Sequence, residues 1–164
     1  MSVNNVMTKE VISLRSTSTV KDAWLTMMEA DISGAPVVDD TGSIMGVVSL
    51  TDIFREVVER VQKARSLRET TMQIEDPAAL EKEEIREMSI AIRAVTELKV
   101  ADILPKEQKL LTLSPDDSLD RAIHLIAEHG INRLPVVRGT QVVGIITRQD
   151  IIWSIAGKGG KSNE

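Results

Sequence analysis

Ser49 and Asp52 stand three residues apart, and Thr147 and Asp150 repeat the pattern. Each pair joins a hydroxyl to a carboxylate at the end of an apolar run, 46–48 in one case and 144–146 in the other. The plain use of this spacing is a capping box: the hydroxyl caps a helix and the acid bonds back to the cap residue's N–H. The same place also suits a ligand. A strand feeding a helix N-terminus offers free N–H groups and the positive end of the helix dipole to an anion. A hydroxyl there can hold a phosphate oxygen. An Asp one turn in can accept from two vicinal hydroxyls, as on a ribose. The Ala-Pro-Val and Leu-Pro-Val strand starts can then face a flat base.

The two pairs belong to a longer repeat. Residues 34–38 and 46–53 read GAPVV and GVVSLTDI, and residues 133–137 and 144–151 read RLPVV and GIITRQDI. A repeat constrains the architecture before any local element is argued. Each copy starts with an apolar-spaced turn, Val3, Val6 and Met7 or Val100, Ile103 and Leu104. A strand is expected next, at 11–14 and 110–113. A helix follows. In copy one, Thr19 and Asp22 form an expected capping box, and Val20, Ala23, Trp24, Met27 and Met28 hold helical spacing. In copy two, Leu119, Ala122, Ile123 and Ile126 do the same, and Gly130 stands at the C-terminal cap. Hairpins are expected from 35–38 with 44–48 and from 134–137 with 141–146, each turning through a glycine, Gly42 or Gly139. A last helix begins after Ser49 and after Thr147. Each copy therefore reads strand–helix–strand–strand–helix.

Residues 54–99 are charged but not repetitive. Ile53, Val57, Val61 and Ala64 extend the first copy's last helix. Asp76-Pro77 reads as a helix start, an N-cap followed by Pro at the first position. Leu80, Ile85, Met88, Ile92 and Val95 then keep an apolar stripe. The spacing predicts two helices, or one broken near 72–76. The tail GKGGKSNE is expected to be flexible. The expected organisation is a first repeat at 1–60, a helical insert at 61–98, a second repeat at 99–157 and a flexible tail at 158–164.

Composition narrows the function. Hydrophobic residues make up 42% of the 164, enough for a packed core. With two Trp, one Phe and no Tyr, that core is aliphatic. Few aromatics and a net charge of −5 argue against a base-stacking or phosphate-tracking nucleic-acid binder. Without Cys there is no disulfide, thiol nucleophile or Cys-ligated zinc. No apolar run approaches a membrane span and no secretory signal is visible, so a soluble cytoplasmic protein is expected.

The residues resemble a family. Each copy is similar to a cystathionine-β-synthase (CBS) domain, and the pair resembles that family's tandem module. The matching pieces are the Val-Met-Thr segment at 6–11, the Pro-Val-Val strands at 32–38 and 131–137, and the Gly-x-x-[Ser/Thr]-x-x-Asp segments of both copies. The likeness covers about 100 residues and spares the insert and the tail. It implies an α/β (α+β) fold of two β-α-β-β-α units with pseudo-two-fold symmetry. It also implies clefts for adenosyl ligands: AMP, ADP, ATP or S-adenosylmethionine. The motif Asp is implied to hold ribose and the Ser/Thr to lie near phosphate, which assigns Asp52 with Ser49 and Asp150 with Thr147. The base pockets are implied at Ser13, Ala35 and Pro36 in copy one, and at Thr112, Leu134 and Pro135 in copy two.

The copies differ in charge. Copy two has Arg133 before its Leu-Pro and Arg148 after Thr147, where copy one has Gly34 and Leu50. A guanidinium binds phosphate oxygens bidentately, so copy two is expected to carry most of the affinity. His124 and His129 lie five apart on one helix, which does not put them on one face, and no nucleophile–base pair is visible. Glu81, Glu83, Glu84 and Glu87 read as a solvated acidic face. No catalytic residue, metal ligand or obligatory cofactor is assigned. The expected function is a stand-alone regulatory module that binds an adenine nucleotide, pairs into a homodimer and signals to a protein partner. The alternatives are a nucleic-acid-binding member of the same family and the regulatory subunit of a separate enzyme.

Overall fold

The computed structural model describes residues 1–106 and 109–157. The tail expected at 158–164 lies outside them. The elements in chain order are β1 (Leu14–Arg15), α1 (Val20–Glu29), β2 (Gly34–Val38), β3 (Ile44–Ser49), α2 (Leu50–Thr71), α3 (Pro77–Thr96), α4 (Leu119–His129), β4 (Arg133–Arg138), β5 (Gln141–Thr147) and α5 (Arg148–Ile155), with 3-10 turns at Val3–Asn5 and Val100–Ile103. This is the α+β repeat expected from the sequence, written twice around two central helices. The helices break at 72–76, where Asp76 caps α3 by accepting from Ala78 N and Pro77 opens the helix. Among the described residues no helix is long and apolar enough to cross a membrane.

The chain forms two compact units, each drawn from more than one segment. The first holds Met1–Arg15, Ala35–Val47 and the described residues from 109 onward. Its strands form two small sheets. One has the order β1-β2-β3, with β1 parallel to β2 and Leu14 opposite Val37. The other is the antiparallel β4/β5 hairpin, running from Arg133 opposite Thr147 to Arg138 opposite Gln141. The hairpins meet at their tips, where Ile44 N donates to Thr140 O at 2.9 Å and the Ser43 and Thr140 hydroxyls lie 2.9 Å apart. Gly42 and Gly139 turn these tips at φ 81° and 61°, a region other residues rarely enter. Val3, Leu113, Ala122, Ile126, Leu134, Val136, Ile146 and Ile151 form an aliphatic core under β4 and β5.

The first strand of each copy is shorter than expected. In copy one it is the two residues of β1. In copy two, 110–113 contributes a single bridge: Leu113 N donates to Pro135 O at 3.0 Å and Val137 N to Leu113 O at 2.8 Å. Leu113 is buried and Leu110 is 36% exposed.

The second unit holds Ser16–Gly34 and Val48–Lys106. Its buried residues include Val20, Ala23 and Met27 of α1, Ile53, Val57 and Val61 of α2, Ala91 and Val95 of α3, and Val100 and Ile103 of the following turn. Trp24 meets Phe54 edge-on, ring centres 5.9 Å apart. The α1 cap departs from the expected box. Thr19 Oγ1 accepts from Asp22 N and donates to Asp22 Oδ2, but the Thr19 backbone bridges to Lys99 instead of returning to Asp22.

One expectation for α3 is corrected, that of a solvated acidic face. Of its apolar stripe only Val95 is buried; Ile85, Met88 and Ile92 are 61%, 43% and 38% exposed. The inward positions are Glu87, Ala91 and Val95, a strip shifted by one residue. The small side chain of Ala91 lies on the buried strip, and Arg68 of α2 draws Glu87 inward. Glu87 therefore does not belong to a solvated acidic face: Arg68 Nε donates to its Oε1 at 2.8 Å, with both side chains about nine-tenths buried. Glu84 faces Arg65 at 3.5 Å beside this pair.

Candidate functional site

Copy two's site residues all fall in the first unit. β5 ends at Thr147 in extended backbone and α5 starts one residue later. The turn is a complete capping box. Thr147 Oγ1 accepts from Asp150 N at 3.2 Å, while Asp150 Oδ2 accepts from Thr147 N at 2.8 Å and Thr147 Oγ1 at 2.7 Å. Leu134 and Pro135 are buried on β4, next to Arg133, which sits opposite Thr147. Thr112 is half-buried and precedes Leu113, whose N–H joins β4 at Pro135. The fold thus sets Arg133, Thr147 and Asp150 at the strand end where α5 begins, with Leu134 and Pro135 following Arg133 on β4.

Arg148 is placed differently from a free phosphate ligand. It is exposed, and its Nε donates to the Ile131 carbonyl at 2.9 Å. That bond takes one of the five N–H donors of the guanidinium.

Copy one repeats the turn. Ser49 Oγ accepts from Asp52 N at 3.4 Å, and Asp52 Oδ2 accepts from Ser49 N at 2.8 Å and Ser49 Oγ at 2.7 Å. The next backbone bond matches too: Leu50 N reaches Ser33 O at 3.0 Å, as Arg148 N reaches Asn132 O at 3.1 Å. Ser49 and Asp52 belong to the second unit. Ser13, exposed, and Ala35 and Pro36, both buried, belong to the first.

The capping box expected from the sequence is therefore realised in both copies, and it consumes one carboxylate oxygen in each. What is left is Oδ1, and here the copies part. Asp52 Oδ1 accepts from Arg55 Nη1 at 2.9 Å. Among the described residues no donor reaches Asp150 Oδ1; three positions on from Asp150 stands Trp153. Sequence reasoning missed Arg55, although its i,i+3 spacing from Asp52 on one helix was the available signal.

Other candidates stay apart. An open groove in the first unit is lined by Thr112, Ser114, Asp116, Asp117, Arg121 and Arg138, and shares only Thr112 with the motif residues. Its Arg121 leans on Asp117 at 3.4 Å. His124 is exposed; its Nδ1 lies 2.8 Å from the Asp120 carbonyl, which with the Asp120 charge raises its pKa above the ordinary value.

The CBS domain family profile matches residues 3–59 and 100–157. An uncharacterised protein of Methanocaldococcus jannaschii is 25% identical over 94% of this chain and 91% of its own length. A second protein of that organism is 27% identical over 94% of this chain, which spans only 32% of it. Among solved structures, CBSX2 in complex with AMP is 23% identical, covering 95% of this chain and 96% of that one, with a TM-score of 0.67. A CBS domain pair in complex with 5′-methylthioadenosine and S-adenosyl-L-methionine is 19% identical over 96% and 98% of the two chains, with a TM-score of 0.65. At these identities the likeness to both structures is one of fold.

Proposed function

The chain belongs to the CBS domain family, and on that premise we propose that it is a cytoplasmic, non-catalytic regulatory module that binds an adenine nucleotide or another adenosyl ligand. The observation that carries this reading is the α5 N-terminus. A capped helix start holds a carboxylate with one oxygen spent on the cap and the other without a partner among the described residues, beside Arg133, Arg148 and buried Leu134 and Pro135. The positive end of the helix dipole and the arginines suit a phosphate there, and the Asp150 oxygen outside the cap suits ribose hydroxyls. The relatives solved with AMP and with S-adenosyl-L-methionine support the ligand class.

In this reading residues 1–60 and 99–157 are the two repeats and 61–98 an added helical insert. Thr112, Arg133, Leu134, Pro135, Thr147, Arg148 and Asp150 form the stronger site. Ser49 and Asp52 serve the weaker one. The exposed Ile85, Met88 and Ile92 support a homodimer packed on that face of α3. Calorimetry with AMP, ATP and S-adenosylmethionine tests the ligand class: saturable binding of at least one is expected, and no binding of any returns both motifs to helix caps alone. Light scattering of the chain should report a dimer at micromolar concentration; a monomer overturns the proposed face.

A further inference from the structure

We propose that Arg55 sets the ligand preference of the Ser49–Asp52 motif by occupying the carboxylate oxygen that a ribose would use. The inference rests on the adenosyl-ligand reading above and deepens it. In both motifs the capping box takes Oδ2 with two bonds, one from the backbone N–H and one from the hydroxyl of Ser49 or Thr147. Only Oδ1 is left to meet a ligand. A carboxylate oxygen has two acceptor positions. A vicinal diol donates two hydrogen bonds. Among the described residues no donor takes either position of Asp150 Oδ1. Asp52 Oδ1 has given one to Arg55 at 2.9 Å, so it can receive one hydroxyl and not the pair.

The pair sits where this matters. The Asp52 side chain is 14% exposed and that of Arg55 57%, so the guanidinium is the more solvent-facing member of the pair. Among the described residues the Arg55 guanidinium bonds to Asp52 alone, and an exposed ion pair of this kind adds little to stability. Its consequence falls on the acceptor it bonds. Copy one is thereby tuned to ligands that present one hydroxyl to Asp52, and copy two to those that present two.

The test compares AMP with 2′-deoxy-AMP by calorimetry on the full chain, for wild type, Arg55→Ala, and Arg55→Ala combined with Asp150→Asn. Removing Arg55 restores one hydrogen bond to a charged acceptor, so AMP should bind the copy-one motif about tenfold more tightly. 2′-Deoxy-AMP, with one hydroxyl fewer, should gain less. In the double variant the tightened site should remain. AMP binding that is unchanged or weaker after Arg55→Ala overturns the role of Arg55, as does loss of all binding in the double variant while Arg55→Ala alone binds. Wild type that binds no AMP strikes the adenosyl-ligand reading itself, a distinct result. Thermal unfolding of Arg55→Ala matching wild type confirms that the change is local.

Discussion

The two Ser/Thr-x-x-Asp turns share every bond of their caps and differ in what surrounds them. Copy two's turn opens a helix of eight residues, α5, and leaves Asp150 Oδ1 without a partner among the described residues. Copy one's turn opens a helix of 22 residues, α2, and bonds Arg55 to the matching oxygen. The lesson is that one local motif can serve two ends. The cap depends on four consecutive residues and survives in both copies. The ligand surface depends on what lies a turn further along, and there the two copies diverge.

The longer helix also has a clamp that α5 lacks. Arg68 near the end of α2 donates to the buried Glu87 of α3, and the second Glu87 oxygen is buried without a hydrogen bond. Removing one partner of such a pair strands a buried charge and costs about 3–5 kcal/mol. Glu87→Ala should therefore be the most damaging single substitution, toward the low end of that range because Glu84 stays 3.9 Å from Arg68. The midpoint of urea unfolding measures it. Replacing Arg68 and Glu87 together by Met should recover most of the loss. A Glu87→Ala midpoint equal to wild type would mean that the two motif helices are anchored alike.

The sites themselves are compared by binding. Asp150→Ala removes the motif's acceptor for ribose in copy two, where two bonds to a charged oxygen are expected. AMP affinity should fall at least tenfold. Asp52→Ala should cost less, because Arg55 already holds one position of its oxygen. Calorimetry on the two variants decides between them, and equal losses would erase the asymmetry. Both changes also remove a capping box, so each is expected to lower stability by about 1 kcal/mol. That shared loss is the internal control.

What the sequence made legible was the local part. Ser49, Thr147, Asp76 and Gly130 were readable as caps because a helix end is decided by a handful of neighbouring residues. The hairpins were readable because alternation and a loop glycine are local too. The misses all depended on side chains beyond the motif. Glu87 read as one of a solvated acidic cluster, and only the placement of Arg68 on α2 shows that it turns inward. The first strand of each copy is shorter than its apolar run, with Leu14 and Leu113 as its buried residues. Within the site, the motif pairs were visible, but the competition of Arg55 for Asp52 shows only when side chains are placed on α2.

The smallest difference lies at the hairpin tips, and it is a difference in pH response. In copy one Asp39 Oδ1 accepts from Thr41 Oγ1 at 2.6 Å, Thr41 N at 2.8 Å and Ser43 N at 2.9 Å. The Thr41 hydroxyl first, then the Ser43 N–H, holds its pKa below the ordinary 3.8. Copy two turns through Arg138, Gly139 and Thr140, with no carboxylate in the loop. A depressed folded pKa stabilises the folded state above the ordinary value, and that contribution is lost as pH falls through the folded one. Acid should therefore loosen the copy-one tip before the copy-two tip. Amide NMR across an acid titration should show Thr41 and Ser43 shifting with a midpoint under 3.8, while Gly139 and Thr140 show no such step of their own. Asp39→Asn should abolish the step at Thr41 and Ser43. Because Asp39 lies half-buried in a surface loop, global stability should hardly follow it, and a midpoint at or above the ordinary value would show that the copy-one loop is no better ordered than its counterpart.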